Sequence, residues 1–231
     1  MLLALMLSGC DEGPNVNEFN YEPEVNVFAL LLLNSGQTII RLEESCRAID
    51  PLPENRGIAD AEVTISAEDQ RVAYVDQGGG LYQEAGEKLR LVPGMTYELA
   101  VNLKDGRRVE ARCIMPAPPV IRRPADQEHV AAYESLPVSW EEAPGVQHYW
   151  VSVRGNMYSY NAEVKADSSA IDFYPFYLAQ PDIYVLRVAA VDRNYHDYAL
   201  TNSEEQPVWH ITGGIGVFGA LAFDERIIIA Q

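Results

Sequence analysis

The sequence predicts an all-β protein built from two β-sandwich domains in tandem. Short runs of alternating apolar and polar residues recur between turn residues along most of the chain, the signature of half-buried strands. The 13 Tyr among 231 residues fall largely in runs with Val and Ile, which favours strands over helices. Two strands are headed by a tyrosine, Tyr97 and Tyr184, each at the same separation from a preceding leucine, Leu91 and Leu178. That weak internal repeat points to two related units, and 231 residues suffice for two domains of about 100 each.

The elements follow in order. Val25 to Leu33 reads as a strand, containing the apolar run Phe28 to Leu33, with a turn at Asn34 to Gln37 and a return over Thr38 to Leu42. Arg47 to Asp60 carries two prolines and reads as a loop. Ala61 to Ile65 and Arg71 to Val75 alternate as strands, and Gly78 to Gly80 is a turn before strands at Leu81 to Gln83 and Leu89 to Val92. Leu91-Val92-Pro93-Gly94-Met95-Thr96-Tyr97 has the spacing of a tyrosine corner, in which the ring opens a strand and the hydroxyl bonds back to the preceding crossover. Lys104-Asp105-Gly106-Arg107 is a hairpin turn, because Asp-Gly supplies the positive φ it demands, and Arg108 to Ile114 closes the first unit. Pro116, Pro118, Pro119 and Pro124 then predict a stiff, extended connection. In the second half Leu136 to Trp140 is a strand ending in a core tryptophan. Ala143 to Val146 is a turn, His148 to Val153 a strand, and Tyr184 opens the strand that runs to Asp192. The expected organisation is a leader and tether over 1–23, a first immunoglobulin-like sandwich over 24–116, a linker over 117–128 and a second sandwich over 129–231 with a glycine-rich C-terminal strand.

Charge narrows the partners. Asp plus Glu outnumber Lys plus Arg by 34 to 17, a formal net charge of −17. Such a surface repels phosphate backbones, which excludes nucleic acid as a partner, and offers no polybasic route to anionic lipid. No segment of about 20 apolar residues is present, so no transmembrane helix is predicted.

The N-terminus carries an address. Leu7-Ser8-Gly9-Cys10 has the form of a lipobox, and resemblance to bacterial lipoprotein signals implies cleavage before Cys10 and diacylation of its thiol. Two acyl chains anchor stably, each buried CH₂ contributing about 0.8 kcal/mol. No Lys or Arg precedes Cys10, so the expectation is a leader that begins upstream of Met1. Asp11 to Pro23, rich in Asn, Glu and Pro, reads as a tether. Cys46 and Cys113 remain. In an oxidising compartment they either pair, stabilising by up to about 4 kcal/mol, or persist as two buried free thiols.

Tests for chemistry return little. Gly214-x-Gly216-x-x-Gly219 matches a dinucleotide fingerprint in letters only, because a strand through Ile227-Ile228-Ile229 follows it where a helix is needed. It reads instead as a strand crossover with Phe218 buried. His129, His148, His196 and His210 are scattered, no two at metal-ligand spacing, and His196 reads as loop decoration. Asp192, Asn194 and Asp197 alternate oxygen donors but not with the spacing of an EF-hand loop. Glu141-Glu142 and Glu204-Glu205 read as solvated charge, and no nucleophile elbow occurs. No catalytic residue, cofactor or metal is therefore expected. Tyr158, Tyr160, Tyr174 and Tyr177 lie in an aromatic-rich stretch that, if exposed, offers stacking platforms for a glycan or a protein.

Val138-Ser139-Trp140, the Ala-Pro-Gly-Val turn at 143–146 and Tyr184 heading Leu186-Arg187-Val188-Ala189-Ala190-Val191-Asp192 make the second half resemble a fibronectin type III module. Gln37-Thr38-Ile39, the Ala61 to Ile65 strand, the corner from Leu91 to Val101 and the closing Gly213 to Gly219 resemble a domain-of-unknown-function family of exported bacterial outer-membrane lipoproteins. The short leader departs from that pattern. The resemblance implies lipid anchoring at the outer membrane, facing periplasm or cell surface, and an interaction role beside a TonB-dependent transporter. Glycan or nutrient binding through the aromatic stretch is the alternative.

Overall fold

The computed structural model describes residues 21–35, 37–47, 51, 53–156, 159–165, 167–173, 178, 180–199 and 208–231. The first half supplies β1 (Val25–Leu32), β2 (Gln37–Glu44), β3 (Glu62–Ala67), β4 (Gln70–Asp76), β5 (Leu81–Glu84), β6 (Thr96–Asn102) and β7 (Arg108–Ile114). The second supplies β8 (Val120–Arg123), β9 (Glu128–Val130), β10 (Leu136–Glu141), β11 (His148–Arg154), β12 (Ser159–Lys165), β13 (Ala170–Phe173) and β14 (Asp182–Val191). A short helix α1 (Arg193–Ala199) and strands β15 (Ile211–Thr212) and β16 (Ile215–Ala230) complete the chain. No helix among the described residues is long and apolar enough to cross a membrane.

The protein is all-β and folds as β-sandwiches around two cores. In the first, β6 and β7 alternate as period-2 strands should. Tyr97, Leu99 and Val101 point inward to meet Val109 and Cys113, with Val27, Leu31, Ile40, Leu42 and Ile65 facing them. The second core gathers Trp140, Tyr149, Val151, Phe173, Leu186 and Val188 between the three-stranded sheet β13-β10-β8 and the sheet containing β11 and β14. Both tyrosine corners form. The Tyr97 hydroxyl donates to the Arg90 carbonyl at 2.8 Å and accepts from the Val92 amide at 2.8 Å, and the Tyr184 hydroxyl donates to the Gln180 carbonyl at 3.1 Å. Leu89 to Val92, expected as a strand, is not one: the Leu89 and Arg90 amides bond the Glu84 and Gln70 side chains, and the Arg90 carbonyl and Val92 amide serve the Tyr97 hydroxyl, leaving these groups to no ladder.

The two sandwiches are not separate beads. β16 pairs in parallel with β1 from Asn26↔Ile215 to Leu32↔Leu221, then antiparallel with β14 from Val191↔Leu221 to Asp182↔Ala230. One strand of 16 residues thus serves both cores, Phe218 and Ala220 in the first and Ile228 and Ala230 in the second. The expected boundary that assigned 129–231 wholly to the second sandwich is corrected: the glycine-rich half of β16, with β15, completes the first. Phe218 is buried as expected, but in the other core. The glycines make the crossover possible. Gly216 adopts φ +107°, and a Cβ there would lie 2.0 Å from the Val27 carbonyl oxygen.

The linker expected over 117–128 is also corrected. Val120–Arg123 is a strand pairing with β10, and Ile121 is buried in the second core. Pro119 and Pro124 flank this edge strand, where a missing N–H costs no ladder bond. Glu128 opens β9, which pairs in parallel with the end of β16.

Candidate functional site

The site lies where β14 ends, across the joint between the sandwiches. Asp192 caps α1: its Oδ1 accepts the Tyr195 amide at 2.9 Å, while its own amide donates to the Ala220 carbonyl at 3.0 Å. Burial pushes the Asp192 carboxyl up to about 6, against the pull of the Tyr195, Ala220 and Asn194 amides and the charge of His210. Asn194 Nδ2 donates to the Arg112 carbonyl at 2.6 Å and the Phe218 carbonyl at 2.8 Å, tying α1 to β7 and β16 together. Rings extend the bridge. Tyr195 lies 5.5 Å from Trp150 of the second sandwich, and Tyr198 lies 6.2 Å from Phe28 of the first and 6.0 Å from Trp209. Gly219 lets the helix approach, since a Cβ there would lie 2.8 Å from Tyr195 Cβ.

Three of the four histidines, scattered in sequence, come together here. His148 and Glu163 occupy the outer face of β11 and β12 as diagonal neighbours, because Trp150↔Glu163 and His148↔Lys165 are the paired positions. His196 is not in a loop but on α1, which lays its ring over His148 at 3.4 Å between centroids and 27° between planes. Glu163 Oε1 lies 2.8 Å from His148 Nδ1 and 3.1 Å from His196 Nε2. On its other side His196 Nδ1 meets Asp197 Oδ1 at 3.0 Å, and Asp197 Oδ2 meets His210 Nε2 at 2.7 Å. Burial pushes the Asp197 carboxyl up, but its hydrogen bonds to His196 and His210 and their charge outweigh that and hold it below the usual carboxylate range. One candidate ligand atom from each of His148, Glu163 and His196 lies within 4.8 Å of the others, so the fold brings together side chains that their spacing in sequence keeps apart. His129 stands apart, exposed on β9.

Beside this cluster opens a mainly apolar cleft of about 810 Å³, lined by Pro93, Ile114, Met115, Pro144, Val146 and His148 among others. It lies between the end of β7 and the β10–β11 turn, at the meeting of the two sandwiches.

The remaining sequence candidates fall elsewhere. Cys46 and Cys113 are free thiols, which corrects the disulfide alternative. The Arg107 guanidinium pairs with Glu44, Nη2 to Oε1 2.5 Å, placing the end of β2 that precedes Cys46 beside the start of β7. Cys113 is six residues further along, about 20 Å at ~3.3 Å per residue, far beyond the reach of a disulfide. Burial, then the Asp192 charge, raises the Cys113 thiol well above its ordinary value. Of the four aromatic candidates, Tyr160 packs edge-on against Phe173 at 5.5 Å on the rim of the second core rather than standing free as a platform. Tyr158, Tyr174 and Tyr177, like the proposed lipid site Cys10, lie outside the described residues. Glu141 pairs with Arg122 on the surface.

Fold and site together define a protein of two β-sandwich cores locked by one shared strand and bridged by a histidine-bearing helix. The chain belongs to the DUF4249 family, a domain of unknown function, whose family model matches residues 15–226. Among solved structures it is similar to a two fibronectin type III domain segment from chicken tenascin, at 10% identity over 90% of this chain and 99% of that one, with a TM-score of 0.30. It is also similar to the FN1–FN3 domains of chicken CNTN1, at 12% identity over 90% of this chain and 67% of that one, with a TM-score of 0.33. Among curated proteins none matches the sequence.

Proposed function

We propose that this chain is a non-enzymatic interaction module of the cell envelope, lipid-anchored at the outer membrane through Cys10, whose partner is a TonB-dependent outer-membrane transporter. The observation that supports it best is the apolar cleft at a joint that cannot flex freely. Because β16 hydrogen-bonds continuously to β1 and then to β14, rotating one sandwich against the other would break ladder bonds. A cleft held in fixed shape loses little entropy on binding. Its apolar lining, with Ile114 58% exposed, suits a protein segment better than a charged solute. The lipobox and the acidic surface agree with an anchor that is covalent rather than electrostatic.

Gentle solubilisation of membranes from the native host, followed by affinity isolation of this chain, tests the reading. A co-purifying β-barrel whose recovery drops in Ile114→Asp supports it. Recovery of the chain alone, in the aqueous fraction and with unmodified Cys10 by mass spectrometry, refutes both address and partner.

A further inference from the structure

We propose that His148, Glu163 and His196 form a binding site for one borderline divalent transition cation of the zinc class, with His148 Nδ1, Glu163 Oε1 and His196 Nε2 as ligands. The inference is independent of which partner occupies the cleft. Hydrogen bonding inside the cluster is the first argument. His196 has a carboxylate oxygen facing each ring nitrogen, Asp197 Oδ1 at 3.0 Å and Glu163 Oε1 at 3.1 Å. A neutral imidazole carries one N–H, so one nitrogen lone pair would face a carboxylate oxygen unless a positive charge lies between them. Glu163 Oε1 is in turn approached by two imidazoles stacked at 3.4 Å, so any proton that charges His196 places its positive charge face to face with the His148 ring. A single cation shared by the two nitrogens and the oxygen satisfies all three atoms at once.

Geometry is the second argument. A tetrahedral cation with bonds of about 2.0–2.1 Å holds its ligand atoms roughly 3.3 Å apart. The two nitrogen–oxygen separations here, 2.8 and 3.1 Å, need to open by only a few tenths of an ångström. Two imidazoles and one carboxylate select a borderline metal over calcium or magnesium, which take oxygen donors. The supporting shell is also in place. Asp197 receives His196 Nδ1–H and so presents Nε2 to the metal, the arrangement by which carboxylates orient metal-binding histidines. Asp197 is itself held by His210 Nε2 at 2.7 Å and Arg193 Nε at 3.4 Å. His148 and Glu163 stand on paired strands, and α1 is fixed by the Asp192 cap and the Asn194 bridge. The three ligand side chains retain 21%, 29% and 17% of their exposure, so a fourth coordination position faces water. A bound cation clamps α1 onto β11 and β12, and α1 spans the joint.

The full chain, purified in detergent without a histidine tag and stripped with a chelator, is titrated with Co²⁺ followed by visible absorption and with Zn²⁺ by calorimetry. The expected result is one ion per chain at micromolar or tighter affinity, with Zn²⁺ displacing Co²⁺ and raising the melting temperature. Glu163→Gln, His148→Gln and His196→Gln each weaken binding at least about tenfold, and Asp197→Asn, which touches no metal, weakens it by ~10–100-fold. His129→Gln leaves binding unchanged, and circular dichroism establishes that each variant is folded. No stoichiometric uptake at a tenfold excess of Co²⁺, or uptake that survives all three ligand substitutions, overturns the site. The proton-only alternative is recognised by His196 ring signals in NMR that titrate with pH and ignore Zn²⁺, and this too overturns it.

Discussion

Asp192→Asn tests how the joint holds its buried carboxylate. In the wild type the folded-state pKa stands at about 6 against an ordinary 3.8, chiefly because burial disfavours the charge. A carboxyl raised in this way takes up its proton more readily folded than unfolded. Its contribution to stability is therefore complete below the unfolded pKa and is lost as pH rises through 6. The full span corresponds to roughly 3 kcal/mol at about 1.36 kcal/mol per unit, and about half of it falls between pH 5 and pH 8. Asparagine does not titrate and remains a good N-cap for the Tyr195 amide. Urea denaturation of both proteins at several pH values from 5 to 8 isolates the effect, since titrations common to the two cancel in the difference. The wild type should lose about 1–2 kcal/mol relative to the variant as pH rises across that window. A difference that is flat with pH, or one that grows in favour of the wild type, refutes the assignment of a buried, charge-averse carboxyl at this cap.

Three further outcomes follow from the packing. Tyr97→Phe removes a hydroxyl that serves both the Arg90 carbonyl and the Val92 amide, and should cost about 1–3 kcal/mol in urea melts with little change in the far-ultraviolet spectrum. Gly219→Ala places a methyl 2.8 Å from Tyr195 Cβ and 2.9 Å from Asp192 Oδ1, so α1 must lift from β16. The expected loss is about 1–3 kcal/mol with altered near-ultraviolet dichroism from the Trp150–Tyr195 pair. Thiol reagents should modify Cys46 in the native state and Cys113 only on unfolding, because Cys113 is buried and its thiol is held protonated. A mass corresponding to a Cys46–Cys113 bridge in native protein would contradict the arrangement of β2 and β7.

Much of the fold is legible in the sequence because strands advertise themselves locally. Arg108 to Ile114 was readable from its alternation and its Asp-Gly turn, and β7 spans those residues. Tyr97 and Tyr184 were readable as corners because the motif is written within a few residues of sequence. Pro116 to Pro124 misled for the opposite reason: local composition says stiff and extended, which an edge strand satisfies as well as a linker does. Two of the three clustered residues were within reach, since the β11–β12 register brings His148 and Glu163 together across one ladder. His196 was not, because α1 is a helix of seven residues, about two turns, with no apolar periodicity to betray it, held in place by Asp192, Asn194 and the rings around it.

What the sequence determined by itself was therefore most strands of the first core, the central strands of the second and the two tyrosine corners, because these depend on side-chain alternation and short-range hydrogen bonding. What only the tertiary structure decided was the exchange of partners along β16, from β1 to β14 at Leu221, and with it the joint that assembles His148, Glu163 and His196. A strand's period states which residues face a core but not which core. Only the packing of chain segments almost 190 residues apart can choose between them, as the Asn26↔Ile215 pairing does.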